Sequence, residues 1–144
     1  MIAVDTNLLV YAHRADSPFH ERAVAVLVAK AESGDRWAIP WPCVHEFVAI
    51  VTHPRIYRPP TPLPMAFAAL RAWLASPGVV LLAEGPTHLA TLEALALGGH
   101  VAGAAIHDAR IAALCKQHGV QALWSADRDF SRYGGLKVVN PLVG

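Results

Sequence analysis

"MIAVDTNLLVYAH", residues 1–13, is the stretch on which the reading of the fold turns. "MIAV" is a short apolar run with the character of a buried strand. It passes directly into "DTN", residue types that start helices, and then into "LLVYAH". The same alternation recurs down the chain. Ser17-Pro18 reads as N-cap and first helical residue, and Ala23, Val24, Leu27, Val28 and Ala31 follow at helical spacing until Gly34. "RWAIP" at 36–40 reads as a strand. A helix opened by Pro42 carries Val44, Phe47, Val48 and Val51 and ends before Pro54. "HPRIYRPPTP" at 53–62 is a Pro-rich loop. Beyond it the patterning predicts a helix over about 63–75, a strand over 79–83 and a helix over 87–97 closed by Gly98-Gly99. "VAGAA" is an irregular approach to a helix over 106–118. "QALWS" is a strand, "ADRDFSRYGG" a loop and "KVV" a last strand. Such alternation predicts the α/β class, a three-layer α/β/α sandwich around a central, mainly parallel sheet.

The chain has 144 residues, the size of one ordinary domain, and no stretch long enough to serve as an interdomain linker, so residues 1–144 are expected to form a single domain. Its 54% hydrophobic content excludes global disorder. The apolar residues come in short runs such as "AVAVLVA" at 23–29, none near the roughly 18–20 that a bilayer span needs. "MIAVDTNLL" has no basic leader before its acid, so a cytoplasmic protein is expected, without membrane association. The two cysteines, Cys43 and Cys115, lack any paired spacing and read as reduced, buried thiols. A net charge of +1 neither demands nor excludes nucleic acid, so any RNA surface must come from local clustering of Arg.

Open α/β sheets place their sites beyond the C-terminal ends of the strands, which directs attention to the acids. Asp5 ends the first strand. Asp127 lies just past the fourth, with Asp129 two residues on. Glu46 falls early in the helix after the second strand, and Asp108 at the start of the helix near Ile106. Four segments can thus bring acids to one pocket. Carboxylates a few Å apart repel, and a divalent cation removes the conflict. Mg²⁺ and Mn²⁺ prefer such oxygen donors. Each acid alone also has a plainer reading, Asp5 and Asp108 as helix-start residues and Asp127 and Asp129 as turn formers. Glu46, among Pro42, Cys43, Phe47, Ala49 and Ile50, is harder to explain without a partner or a cation.

"VDTNLL" at 4–9, Glu46 after a strand and turn, "HDARIAAL" at 107–114 and "SADRDF" at 125–130, in that order, resemble the PIN domain and its VapC-like toxins. The resemblance runs from residue 4 to residue 130. It implies a metal-dependent endoribonuclease, the toxin of a toxin–antitoxin pair, that cuts RNA phosphodiester bonds with a metal-activated water. It implies catalytic acids Asp5, Glu46, Asp108 and Asp127, with Asp5, Asp108 and Asp127 nearest a Mg²⁺ or Mn²⁺ ion. Thr6, Asn7, Ser125 and Asp129 would support them. The chain departs from the pattern at "WPCVHE", where many relatives carry Ser or Thr shortly before the Glu, which puts one supporting hydrogen bond in doubt. The resemblance also implies a small VapB-like antitoxin bound through an apolar helix and a basic tail.

Other chemistries fit less well. His45-Glu46 begins like a zinc-protease helix, but Ala49 stands where the second His belongs. A phosphorylation receiver needs paired acids after the first strand, and a haloacid-dehalogenase-type phosphatase needs an Asp where Asn7 stands. A catalytically silent PIN-like binding module and a DNA nuclease remain as alternatives. Arg55-Ile56-Tyr57-Arg58 interleaves phosphate-binding and base-stacking types, equally readable as solvated surface. The helices near 63–75 and 87–97 carry Met65, Phe67, Leu70, Trp73, Leu74, Leu89, Leu92 and Leu95, more apolar positions than one core stripe uses, so a homodimer is expected.

Overall fold

The computed structural model describes residues 1–143. Five strands form one sheet, β1 (Ile2–Val4), β2 (Trp37–Pro40), β3 (Val79–Leu82), β4 (Ala122–Trp124) and β5 (Lys137–Val139), in the spatial order β3-β2-β1-β4-β5 with every neighbouring pair parallel. Six α-helices flank it: α1 (Thr6–His13), α2 (His20–Glu32), α3 (Trp41–Val51), α4 (Leu63–Leu74), α5 (His88–Gly98) and α6 (Ile106–Gln117). This is the expected three-layer α/β/α sandwich. α1 packs on α2 and α3, α3 on α4 and α5 on α6, and α3 also meets α6.

The strands are short and strongly apolar because parallel strands are covered on both faces. Ala3, Val4, Ala38, Ile39 and Leu123 are fully buried. Leu8 and Leu9 from α1, Phe47 from α3 and Ile111 and Leu114 from α6 fill the layers beside them. Phe47 meets His13 and Trp73 edge-on, at centroid distances of 5.4 and 5.2 Å. Both cysteines are free and buried. No helix among the described residues is long and apolar enough to cross a membrane.

Most predicted elements lie within two residues of their expected limits, but two details differ. Ser17-Pro18 does not open α2. The Ser17 hydroxyl accepts from Phe19 N at 3.1 Å, closing a local turn, and the helix begins at His20 with no side-chain cap. Ser so readily forms such turns that a Ser-Pro pair marks a chain reversal as easily as a helix start. The helices carrying the surplus apolar residues are also not a packed pair, since α4 lies against α3 and β3 and α5 against α6. Their exposed residues nevertheless persist: Met65, Phe67 and Leu89 are all largely open to solvent.

The connection pattern positions the site. From β1 the chain builds outward to β2 and β3, then returns to place β4 and β5 on the opposite side of β1. The crevice beyond the C-terminal ends of β1 and β4 is therefore the topological switch point, where the loops leaving the two strands diverge and a cleft opens.

Candidate active site

Asp5 is the first residue after β1 and the N-cap of α1. Its backbone N–H still donates to Trp124 O of β4 at 2.9 Å, so the register Val4–Trp124 carries through to set Asp5 beside Ser125. The Ser125 hydroxyl donates to Asp5 Oδ2 at 2.7 Å, and Thr6 N donates to Oδ1 at 2.8 Å. Asn7 Nδ2 bridges Asp5 Oδ2 and Ser125 Oγ at 3.4 and 3.3 Å. Asn7 Oδ1 accepts from Ala126 N at 3.3 Å, tying the start of α1 to the loop after β4. Ser125 Oγ in turn accepts from Asp127 N at 2.9 Å, and Asp127 Oδ1 accepts from Asp129 N at 2.8 Å. The "SADRD" loop is thus wound by successive side-chain-to-backbone bonds that aim Asp127 and Asp129.

Thr6, Asn7 and Ser125 bond the acids through side chain or backbone, whereas Asp129 bonds Asp127 only through its own N–H. Thr6 has two roles: its N–H holds Asp5, and its hydroxyl donates to Glu46 Oε2 at 2.7 Å. That bond is the partner Glu46 needs on an otherwise apolar helix. Cys43, fully buried one turn before Glu46, points its thiol at Asp5 Oδ1 across 3.7 Å. With no Ser or Thr in "WPCVHE", this long and weak thiol contact is what that stretch offers Asp5.

Asp5, Thr6, Asn7, Glu46, Asp108 and Asp127 line one cleft of about 310 Å³ together with Val10, Tyr11, Ile50 and Tyr57. The four acids expected from the sequence therefore share a wall. Their grouping within it is finer than expected. One carboxylate oxygen each from Asp108, Asp127 and Asp129 lies within 4.8 Å of the other two. Asp5 lies outside this trio and is more deeply buried than any of its members. Asp129, expected in support, joins the cluster because the turn begun by Asp127 carries it back toward Asp108.

Crowding and burial disturb the titration of these acids. Burial pushes the Asp5 carboxyl up to about 6. The Ser125 and Thr6 bonds work against this rise, and the charges of Glu46 and Asp108 add to it. Asp108 is also raised, by burial first and then by Asp127, Glu46 and Asp129, with Arg132 opposing. Burial likewise holds the Cys43 thiol well above its ordinary range, which keeps it neutral beside Asp5.

The donor set suits a hard divalent cation. Ligand oxygens on one octahedral Mg²⁺ lie roughly 3–4 Å apart, so the Asp108–Asp127–Asp129 trio needs to close by less than about 2 Å to share an ion. Asp129 is exposed and can supply that movement by rotation.

Sequence reasoning did not anticipate Val10, Tyr11, Ile50 or Tyr57 in the wall. Three of them had a signal. Val10 and Tyr11 follow Thr6 and Asn7 by four residues, and Ile50 follows Glu46 by four, so each sits one helical turn beyond a site residue on the same face. Tyr57 had none, because its place depends on how the Pro-rich loop folds back.

The PIN-domain family model matches residues 2–136. Ribonuclease VapC43 of Mycobacterium tuberculosis is 35% identical over 145 residues, covering 100% of this chain and 97% of that protein. Ribonuclease VapC33 of the same organism is 34% identical over 146 residues, covering 99% of each. Among solved structures, VapBC2 from Rickettsia felis bound to a promoter DNA fragment superposes with a TM-score of 0.72 at 17% identity, covering 97% of this chain and 98% of that one. Mycobacterium tuberculosis VapC20, described as a sarcin-ricin loop cleaving toxin, gives 0.69 at 19% identity, covering 96% and 98%. These two share the fold. With a family model spanning nearly the whole chain and relatives above 30% identity end to end, the chain belongs to the PIN-domain family, in its VapC ribonuclease branch.

Proposed function

We propose that residues 1–144 act as a single nuclease domain, a metal-dependent endoribonuclease that is the toxin of a toxin–antitoxin pair. The observation that carries this reading is the convergence of acids from four separate segments on one cleft at the switch point of the sheet. The VapC ribonucleases that match along their whole length support RNA as the substrate.

Asp108, Asp127 and Asp129 would hold the ion, Mg²⁺ or Mn²⁺, with Asp5 and Glu46 beside it. When bound, such an ion polarises a phosphoryl oxygen and makes a water acidic enough to attack at neutral pH. The chain's own contribution is to place the charges. Ser125 and Thr6 fix both oxygens of Asp5, so it faces the cleft without rotational freedom. The Thr6 hydroxyl occupies Glu46 Oε2 and leaves Oε1 with no protein donor among the described residues, open to accept a proton from water. Asn7 keeps the β1 and β4 ends from separating.

A concentration of acids that must be neutralised is also a natural seat for an Arg or Lys from an antitoxin. The exposed Leu63, Met65, Phe67, Leu89 and Leu97 offer apolar area for that partner and for a second copy of the chain. The deciding experiment is incubation with total cellular RNA, with single- and double-stranded DNA in parallel, with and without Mg²⁺ or Mn²⁺, followed by mapping of new 5′ ends. Metal-dependent cuts confined to RNA are expected. Cuts in DNA alone would overturn the substrate. Light scattering and co-purification from the native operon test the dimer and the antitoxin.

A further inference from the structure

We propose that Tyr57, braced by Arg14, is the surface on which an unpaired base next to the scissile phosphate stacks, with Arg58 and Arg55 taking the phosphates that follow. The proposal rests on the ribonuclease reading above and adds the position that selects an unstacked nucleotide.

Three observations point to it. Tyr57 is half-buried in the wall of the acid cleft, the same wall that carries Asp5, Glu46, Asp108 and Asp127. The Arg14 guanidinium lies 4.3 Å from the Tyr57 ring centroid and so backs the ring from one side. Arg14 itself is held by four hydrogen bonds: its Nε and Nη2 donate to Asp16 at 3.0 and 2.7 Å, and its Nη1 donates to Pro59 O at 3.0 Å and Thr61 Oγ1 at 3.2 Å. Thr61 is buried, anchored by its N–H to Val51 O at 2.8 Å, and its hydroxyl meets His13 Nε2 at 3.0 Å. A half-exposed aromatic ring would ordinarily need little support. Here polar groups of the loop hold the arginine that backs the ring beside the cleft, and a ring packed on one face has less freedom to lose when a base stacks on it.

The electrostatics favour a nucleic-acid strand. Four acids repel a polyanion, so a substrate that reaches them needs cations beside the cleft. Arg14 is neutralised by Asp16, but Arg55 and Arg58 are exposed, and no carboxylate among the described residues lies within ion-pair distance of either. Arg58 lines a second hollow, of about 500 Å³, that adjoins the ring's support through His13, Arg14 and Thr61. The Pro-rich loop thus sets an aromatic ring in the wall of the acid cleft and, next to it in sequence, an arginine that lines the adjoining hollow, the residue types that take a base and a phosphate of a single strand.

The test uses the full chain, an RNA oligonucleotide carrying 2-aminopurine beside the mapped cleavage position, and saturating metal. With wild type, binding should quench the 2-aminopurine fluorescence. Tyr57→Leu should abolish the quench and raise KM by roughly tenfold, within the 5- to 150-fold that one stacked base contributes, with kcat changed less than about twofold. Tyr57→Phe should restore both, which a merely structural role of the hydroxyl would not predict. Arg58→Gln, at an exposed side chain with no hydrogen bond or ion pair among the described residues, should weaken binding, keep the quench and lower the salt dependence by about one counterion. If wild type cleaves and Tyr57→Leu matches it in KM and quench, the stacking role is overturned and the ribonuclease reading stands. If wild type neither cleaves nor quenches, both fall. If Tyr57→Leu loses only the co-purified antitoxin, the loop is a protein surface and the proposal is overturned.

Discussion

Replacing Asp5 by Asn should make the metal-free protein more stable at neutral pH, and less so as the pH falls. Asp5 titrates near 3.8 when unfolded and at about 6 in the fold. Between those values the unfolded chain is ionised while the folded one holds a proton, and above 6 the fold must carry a buried charge. Stability is therefore fully present below pH 3.8 and is lost as pH rises through 6. A displacement of about 2 pH units costs about 3 kcal/mol at pH 7.5, and about 1 kcal/mol at pH 4.5. Asn removes that cost but cannot serve all the donors now aimed at the carboxylate. Thr6 N–H keeps an acceptor in the amide oxygen, whereas the Ser125 hydroxyl and Asn7 face an NH₂ group. The Ser125 hydroxyl can rotate to accept from that NH₂ group, which leaves Asn7 as the one mismatched donor, at a cost of about 1–2 kcal/mol. The net expectation in EDTA is a gain of about 1–2 kcal/mol at pH 7.5, a rise in Tm of roughly 3–6 °C for a chain of this size. At pH 4.5 the gain should vanish or reverse. Differential scanning fluorimetry of both proteins across this range, backed by urea titrations, measures it. Saturating Mn²⁺ should raise the Tm of wild type by more than that of the variant, because the ion compensates the charge the variant lacks. An Asp5→Asn protein destabilised equally at both pH values would refute the reasoning, since only an uncharged, purely hydrogen-bonded Asp5 behaves so.

Asp108→Asn and Asp127→Asn should each remove RNA cleavage while leaving the circular dichroism spectrum unchanged; cleavage at wild-type rate by either variant would exclude it from the metal set. EDTA should abolish cleavage, and added Mn²⁺ or Mg²⁺ should restore it, read on the mapped RNA. Thr6→Val removes the hydroxyl that holds Glu46 while keeping the backbone N–H on Asp5. Activity should fall by about 10–100-fold, the usual effect of losing a group that orients a ligand. Cys43 is fully buried with its thiol held well above the ordinary range, and burial pushes Cys115 up to about 12. Both should resist iodoacetamide in the native protein and react in urea, and mass spectrometry showing native labelling of Cys43 would contradict its place beside Asp5.

The fold was legible because it rests on local chemistry repeated often. Most short apolar runs lead into a helix, and five of the six helices have a Gly or Pro within four residues of their last turn, so the α/β alternation survived small errors such as Ser17-Pro18. The location of the site was legible for a related reason: the acids stand at strand ends and helix starts, positions that a parallel sheet brings to one edge whatever its exact strand order. The arrangement inside the cleft was not. That Asp129 joins Asp108 and Asp127 depends on a turn in which Ser125 accepts from Asp127 N and Asp127 accepts from Asp129 N. Three Asp and Ser residues in five can wind several ways, and what holds this one, the bonds from Ser125 to Asp5 and from Ala126 to Asn7 and the burial of Phe130, comes from distant parts of the chain.

Tyr57 marks the same boundary from the other side. Its sequence neighbours are Pro, Arg and Ile, with no periodicity to assign it a face. What fixes it is Arg14, 43 positions earlier, which bonds Pro59 and Thr61 and covers the ring. Arg14 ends the helix that Asp5 begins, so the residue that braces the loop and the residue that anchors the acids are the two caps of one eight-residue helix. A rigid α1 therefore sets the distance between the acid cleft and the aromatic wall. The consequence is a separable effect: Arg14→Met should leave Asp5 in place, since its bonds come from Thr6, Ser125 and Asn7, while freeing Tyr57 to move. Metal affinity, read by isothermal titration with Mn²⁺, would then hold steady as RNA affinity falls; a parallel loss of both would show that α1 does not separate the two walls.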